Sequence, residues 1–227
     1  MRAEDRQWYV RAEPSEESRQ VLVEYQKQLQ TLFNDLRLTP RLIKTNDLHW
    51  TALFIGSARR WSRALRALDV AGEVTADDLA QIAERVCEHL VLSTPRSSAE
   101  SLVVGSPTGY DAFLAGGTNA VFVLRLEHLQ NIVDTLVNRA REVFADWERA
   151  GRFPPPTTHQ LFRRSNSPLA RERNGGKPHV TLARGRVSRE RQRDVLRTMR
   201  SALPVSRQPI TFGHAEVRMV RESVPTR

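Results

Sequence analysis

Read for the spacing of its apolar residues, the chain alternates short strand-like runs with amphipathic helices. "QWYVRA" near the start predicts a short strand. Val21, Tyr25, Leu29, Leu32 and Phe33 then recur at helical spacing, with Val23 out of step, behind Pro14 and Ser15, which suit a helix start. "RLIKTNDLHWTALFIG" follows the turn-forming Asn46-Asp47 and ends in Leu53-Phe54-Ile55 before Gly56, which predicts a strand. In "TADDLAQIAERVCEHL" the residues Leu79, Ile82, Ala83, Val86 and Leu90 share one helical face, Thr75 can cap, and Asp78 completes a capping-box-like arrangement. Cys87 and His89 neighbour that packed stripe, so both read as structural or solvent-facing. "SLVVGSPTGYDAFLAGGTNAVFVLRLE" predicts strand, glycine-rich loop and strand. Its glycines read as turns, because neither a Gly-Lys-Ser/Thr step nor a dinucleotide fingerprint accompanies them.

The longest helical pattern is "EHLQNIVDTLVNRAREVFADWERAG", whose apolar face reads as core and whose stop is Gly151. "RFPPPTTHQLFRRSNSPLARERNGG" is polar, Pro-rich and basic, and predicts a loop. A strand at "GKPHVTLARG", a helix from near Ser188 to Pro204, and one or two strands in "PITFGHAEVRMVRES" complete the chain. This order fits an α+β protein of antiparallel sheets better than a doubly wound parallel sheet, which needs tighter alternation. At 227 residues with 40% apolar content, a single compact unit spanning 1–227 is expected.

Charge narrows the partners. The formal net charge is +9, and it is clustered. From Arg163 to Arg200 twelve Lys or Arg stand against three acids, and from Arg37 to Arg66 seven stand against one. Anionic partners follow. Only three of the basic residues are lysine. Arginine's planar fork suits phosphate; a compositional bias explains the ratio equally well, but not the clustering. The single cysteine, Cys87, rules out an internal disulfide and a thiolate zinc cluster. No apolar run is long enough for a membrane span, and "MRAEDRQWYV" lacks the apolar core of a secretory signal, so a cytoplasmic location is expected.

The candidate chemistry lies in a repeat. His49 is followed at the second position by Thr51, and His179 by Thr181, each pair within a strand-like run and within a basic window. None of the other four histidines has a Ser or Thr at that position. In a strand, residues i and i+2 point the same way, so each pair presents an imidazole beside a hydroxyl while Trp50 and Val180 turn into packing. Two such strands placed side by side make a four-residue pocket. One imidazole can take a proton and the other give one near neutral pH, and the threonine hydroxyls can hold phosphate oxygens. Such a site needs no metal, and two histidines without a carboxylate ligand would bind one poorly.

"LHWTALFIG" and "KPHVTLARG" resemble the two signature motifs of the 2H phosphoesterase superfamily. Pro-His-Val-Thr-Leu-Ala-Arg is similar to the wording in its bacterial RNA 2′,3′-cyclic phosphodiesterase, or 2′-5′ RNA ligase-like, branch. "WYVRA", "NAVFVLRLE" and "FGHAEVRMVRES" are similar to that family's opening strand, the strand before its long helix, and its closing strand. The resemblance implies two pseudo-symmetric lobes of antiparallel sheet with outer helices, one His-x-Thr strand from each lining a central groove. It implies hydrolysis of RNA 2′,3′-cyclic phosphate ends to 2′-phosphates, without a cofactor, by a monomer whose His49 and His179 are the acid-base pair and whose Thr51 and Thr181 bind phosphate. Run in reverse with a 5′-hydroxyl in place of water, the same site forms a 2′-5′ linkage. Which histidine is the acid is left open. Lys177 and Arg184 are weaker candidates for substrate contact, and Arg184, out of phase with Thr181 on a regular strand, suits a structural salt bridge equally well. The alternatives are a superfamily member acting on a small cyclic nucleotide, ADP-ribose cyclic phosphate or a 2′-5′ oligoadenylate; a non-catalytic RNA- or nucleotide-binding module; and a basic structural protein with His49 and His179 far apart.

Overall fold

A computed structural model describes residues 6–92, 103–114, 118–163, 168–169 and 177–221. In chain order its elements are β1 (Arg6–Pro14), α1 (Glu16–Asp35), β2 (Arg41–Leu42), a 3-10 turn (Thr45–Asp47), β3 (Trp50–Ser57), α2 (Ala58–Arg66) and α3 (Ala76–Leu92). There follow β4 (Val103–Leu114), β5 (Asn119–Glu127), α4 (Gln130–Arg149), α5 (Thr157–Leu161), β6 (His179–Arg186), α6 (Arg189–Ala202) and β7 (Ile210–Arg221). Every strand pairing is antiparallel, in the order β2-β6-β3-β1-β7-β4-β5, and β5 pairs with β6 in addition. The architecture is α+β.

The sheet has two halves. β3, β1 and β7 form one, packed by α3, with α4 against α3 and β3; β6, β5 and β4 form the other, packed by α6 on β4, and α1 spans β6, β7 and β1. The halves join where β7 pairs with β4 and where β3 meets β6. Phe122 and Leu124 on β5, Val180 on β6 and Trp50 on β3 share the helix-covered side, with Phe33 of α1 edge-on to Phe122 at 4.6 Å.

The helices form for the local reasons their sequences supply. Ser15 caps α1, accepting the Ser18 N–H at 3.3 Å, and Leu22, Tyr25, Leu29, Leu32 and Phe33 are its buried stripe. In α3 the Thr75 N–H donates to Asp78 at 2.7 Å while the Asp78 N–H donates back to the Thr75 hydroxyl at 3.2 Å, so the capping box is reciprocal. Leu79, Ile82, Ala83, Val86 and Leu90 are all buried, and Cys87 is half-buried beside them. Gly151, at φ 78°, ends α4 in the left-handed region.

Three elements depart from the sequence reading. The segment before Leu114 is one continuous strand, β4, with Gly105 and Gly109 inside it rather than in a loop. Gly105 belongs there because Leu129 packs onto it: a Cβ would sit 3.0 Å from the Leu129 methyl. A helix, α2, occupies 58–66, where Trp61 buries its ring and its indole N–H donates to the Ile55 carbonyl. Within the expected Pro-rich loop, Thr157–Leu161 forms a short helix. The Gly116-Gly117 turn and most of the basic stretch between Arg163 and Lys177 lie outside the described residues. No helix is long and apolar enough to cross a membrane.

Candidate functional site

β3 and β6 meet through one residue pair, Trp50 opposite Val180, and both side chains are fully buried. Because side chains alternate along a strand, the flanking residues His49, Thr51, His179 and Thr181 project to the opposite side of the sheet. Antiparallel register then sets His49 across from Thr181 and Thr51 across from His179. All four are partly exposed. Residues 130 positions apart in the chain thus share one groove.

Both imidazoles are anchored in the same way. The Nδ1 of His49 lies 2.8 Å from the carbonyl oxygen of Asp47, and that of His179 lies 3.0 Å from the carbonyl oxygen of Lys177. A carbonyl only accepts, so Nδ1 is the donor in each ring and Nε2 is left to exchange protons. Each ring also has an aromatic neighbour: Tyr9 at 6.0 Å from His49, and Phe113 edge-on at 4.7 Å from His179.

A second likeness concerns the strands themselves. In β3 the register steps from Leu53 to Thr51, leaving Ala52 as an extra residue, and in β6 it steps from Ala183 to Thr181, leaving Leu182 extra. Each His-x-Thr is therefore followed directly by a bulge, which re-aims the residues beyond it. This corrects the phase expected for Arg184. It pairs with Val121 while Thr181 pairs with Val123, and these two valines share a face of β5. Arg184 consequently projects on the Thr181 side, exposed, and lines a pocket of about 300 Å³ with His49, Arg41, Lys44 and Asp47. Among the described residues no salt bridge engages it. Lys177 is exposed as well. Its carbonyl holds His179, and its side chain lines a pocket of about 290 Å³ with Asp111, Arg125 and Arg200.

The groove floor holds two arginines that the His-x-Thr motifs do not single out. Arg11, opposite Thr51, is only 7% exposed and is gripped by Glu13 and Glu216. Arg125, opposite His179, donates to Asp111 through Nε and Nη2 at 2.9 and 2.7 Å, and to the Lys177 carbonyl at 3.1 Å, with its guanidinium over the Phe113 ring. The signal for both lies in period two: Tyr9-Val10-Arg11-Ala12-Glu13 and Val123-Leu124-Arg125 each set an arginine in phase with a groove-facing position of a buried strand.

Burial pushes the pKa of both histidines below the ordinary imidazole range. For His49 the hydrogen bond to Asp47 opposes this, while the charges of Arg11 and Arg184 add to it. For His179 the bond to Lys177 opposes it, and Arg125 and His49 add to it. Among the described residues, no three His, Cys, Asp or Glu side chains gather to hold a metal ion.

No protein-family model matches the sequence, and no curated protein matches it. Solved structures do. Usb1 of Kluyveromyces marxianus superposes with a TM-score of 0.50 at 11% identity, covering 97% of this chain and 96% of that one. TT0787 of Thermus thermophilus gives a TM-score of 0.45 at 18% identity over 95% of this chain and 87% of that one. LigT of E. coli, in its apo form, gives 0.44 at 15% over 94% and 87%. With its antiparallel sheet in two halves and a His-x-Thr strand from each meeting at Trp50 and Val180, the chain shares its overall fold with Usb1.

Proposed function

We propose that this protein is a phosphodiesterase that opens 2′,3′-cyclic phosphates at RNA ends, with His49 and His179 as its acid-base pair. One observation carries the reading: two imidazoles on directly paired strands, each with Nδ1 held by the carbonyl two residues upstream, leave two equivalent Nε2 atoms on one groove. A water oxygen attacks phosphorus and gives its proton to the Nε2 of one ring. The bond from phosphorus to the 3′-oxygen breaks, and that oxygen takes the proton from the Nε2 of the other ring. The products are a 2′-phosphate and a free 3′-hydroxyl. With a 5′-hydroxyl attacking in place of water, the same course forms a 2′-5′ linkage and frees the 3′-hydroxyl.

The free groove favours two neutral rings, since both pKa values are lowered. An anionic phosphate between them favours a proton on one, so substrate itself restores the acid. Thr51 and Thr181 donate to the non-bridging oxygens, where charge grows in the transition state. Arg11 and Arg125, held by carboxylates, stiffen the floor beneath the histidines and threonines. RNA rather than a free nucleotide suits the clustered arginines around the groove. The test is product analysis on an oligonucleotide ending in a 2′,3′-cyclic phosphate: a 2′-phosphate is expected from the native protein. A 3′-phosphate product, or normal hydrolysis by His179→Ala, overturns the assignment.

A further inference from the structure

The two imidazole anchors are alike in distance but not in what holds them. His49 hangs on the carbonyl of Asp47, the last residue of the 3-10 turn, whose N–H donates to the Lys44 carbonyl at 2.8 Å while the Leu48 N–H donates to the Thr45 carbonyl at 3.3 Å. That anchor is set locally. His179 hangs on the carbonyl of Lys177, which precedes β6 and is followed by Pro178. Proline has no N–H, so the step into β6 lacks one backbone donor. The Pro178 carbonyl accepts the Leu126 N–H of β5 at 2.8 Å, and the Lys177 carbonyl accepts a side chain instead, Nη1 of Arg125 at 3.1 Å.

Arg125 is itself placed with care. On the neighbouring strand β4, Oδ2 of Asp111 takes its Nε and Nη2 at 2.9 and 2.7 Å. The other oxygen of Asp111 takes the Ala112 N–H at 2.8 Å and Nη2 of Arg200, on α6, at 2.7 Å. Both carboxylate oxygens are thus engaged, and only 16% of the Asp111 side chain is exposed. Phe113, two residues on and so on the same face of β4, packs against the guanidinium at 4.6 Å and stands edge-on to His179 at 4.7 Å. An unbroken line of contacts runs from Asp111 through Arg125 and the Lys177 carbonyl to Nδ1 of His179.

We infer that Arg125, set by Asp111, is a positioning residue for His179: it fixes the carbonyl on which Nδ1 hangs, the task that the 3-10 turn performs for His49. A carbonyl oxygen has two lone pairs, so the guanidinium and the imidazole share it without competing. The charge-assisted bond from a guanidinium that is itself pinned on a carboxylate holds that oxygen in place. Keeping Nδ1 as the donor keeps Nε2 as the atom open to the groove. The inference rests on the reading of His179 as a residue that exchanges protons, but it concerns the tautomer of the ring, which is measured without turnover.

Nitrogen NMR of the histidine rings reads that tautomer. In the free native protein, at a pH where both rings are neutral, His49 and His179 should each carry the proton on Nδ1. Arg125→Gln should move His179 toward the Nε2–H tautomer and leave His49 unchanged. Asp111→Asn keeps Arg125 but loosens its seat, and should do the same to a smaller extent, so the inference stays testable if Arg125→Gln does not fold. Arg125→Lys keeps the charge without the fork and should fall between the native protein and Arg125→Gln. With a cyclic-phosphate substrate, Arg125→Gln should lower kcat by about 10- to 100-fold with KM near native, the cost of a misplaced catalytic ring. A native His179 tautomer in both Arg125→Gln and Asp111→Asn overturns the inference. So does an equal change at His49 and His179, which reports general loosening of the groove. If the tautomers respond as expected and the native protein hydrolyses no cyclic phosphate, the proposed reaction falls and the positioning of His179 stands.

Discussion

Trp50 faces Val180 across the junction of β3 and β6, and among the described residues this pair is the one point where the two strands meet. The indole is fully buried and lies 5.7 Å from the Phe212 ring. Its removal acts on fold and groove together. Trp50→Ala should cost about 3–5 kcal/mol in chemical denaturation, the range for deleting a buried aromatic side chain. Trp50→Phe keeps a ring at the junction and should cost much less. Activity should follow the same order, because a shift here moves His49, Thr51, His179 and Thr181 at once.

Substitution of the four groove residues separates chemistry from folding. His49→Ala and His179→Ala should each lower kcat by about 10²- to 10⁴-fold, the usual contribution of a general acid or base. Thr51→Ala and Thr181→Ala should cost about 10²-fold or somewhat more if their hydroxyls hold the non-bridging oxygens. All four side chains are partly exposed, so melting temperatures should stay close to that of the native protein. Single-turnover rates at saturating substrate provide the comparison.

Under the proposed acid-base reading, turnover needs one histidine neutral and one protonated, and this sets the expected pH behaviour. In the free protein both pKa values lie below the ordinary imidazole range, so the optimum of kcat/KM should fall below about pH 6.5. A bound phosphate anion raises the affinity of the rings for a proton, so the optimum of kcat should lie at higher pH than that of kcat/KM. Arg184 is one of the charges that lower the His49 value. Arg184→Gln removes it, raises that pKa, and should move one limb of the kcat/KM profile to higher pH. A downward shift would contradict the placement of Arg184 beside His49.

The division of labour between local and distant information explains what the chain made legible. The stripe of Leu79, Ile82, Ala83, Val86 and Leu90 and the Thr75-Asp78 box are local patterns, and α3 follows them. The His-x-Thr pairs are equally plain, because i and i+2 need only a strand to share a face. Arg184 is different. Its facing depends on the extra residue Leu182, and a bulge is a property of two strands in register that periodicity along one of them does not encode. Arg11 and Arg125 are hidden for a related reason: only pairing shows that they stand opposite Thr51 and His179. Gly105 and Gly109 look like turn formers; in β4, Gly105 makes room for Leu129, a contact that no neighbouring residue announces.

Gly185 offers a local test of how closely β2 is held. Its place on β6 lies against the backbone of Pro40, and an added Cβ would meet atoms that cannot rotate away. Gly185→Ala should therefore destabilise the protein by about 1–3 kcal/mol, as overpacking does, despite alanine's better intrinsic propensity. Denaturation midpoints measure this. A neutral or stabilising effect would show that β2 yields without cost.

Gln26 is the buried counterpart of that contact. Its amide nitrogen, donating to both Ile43 and Leu182, is held within α1, where it joins the helix to the bulge and to the segment that carries Lys44. Gln26→Leu keeps the volume and removes both donors. The Leu182 carbonyl retains the Ile43 N–H at 2.9 Å, but the Ile43 carbonyl loses the donor it has from Gln26. A loss of about 1 kcal/mol follows from removing this part-buried hydrogen bond. The His179 anchor is independent of this tie, since it uses the carbonyl of Lys177. Gln26→Leu should accordingly lower the denaturation midpoint, and an unchanged midpoint would mean that the segment after β2 is held by its other contacts.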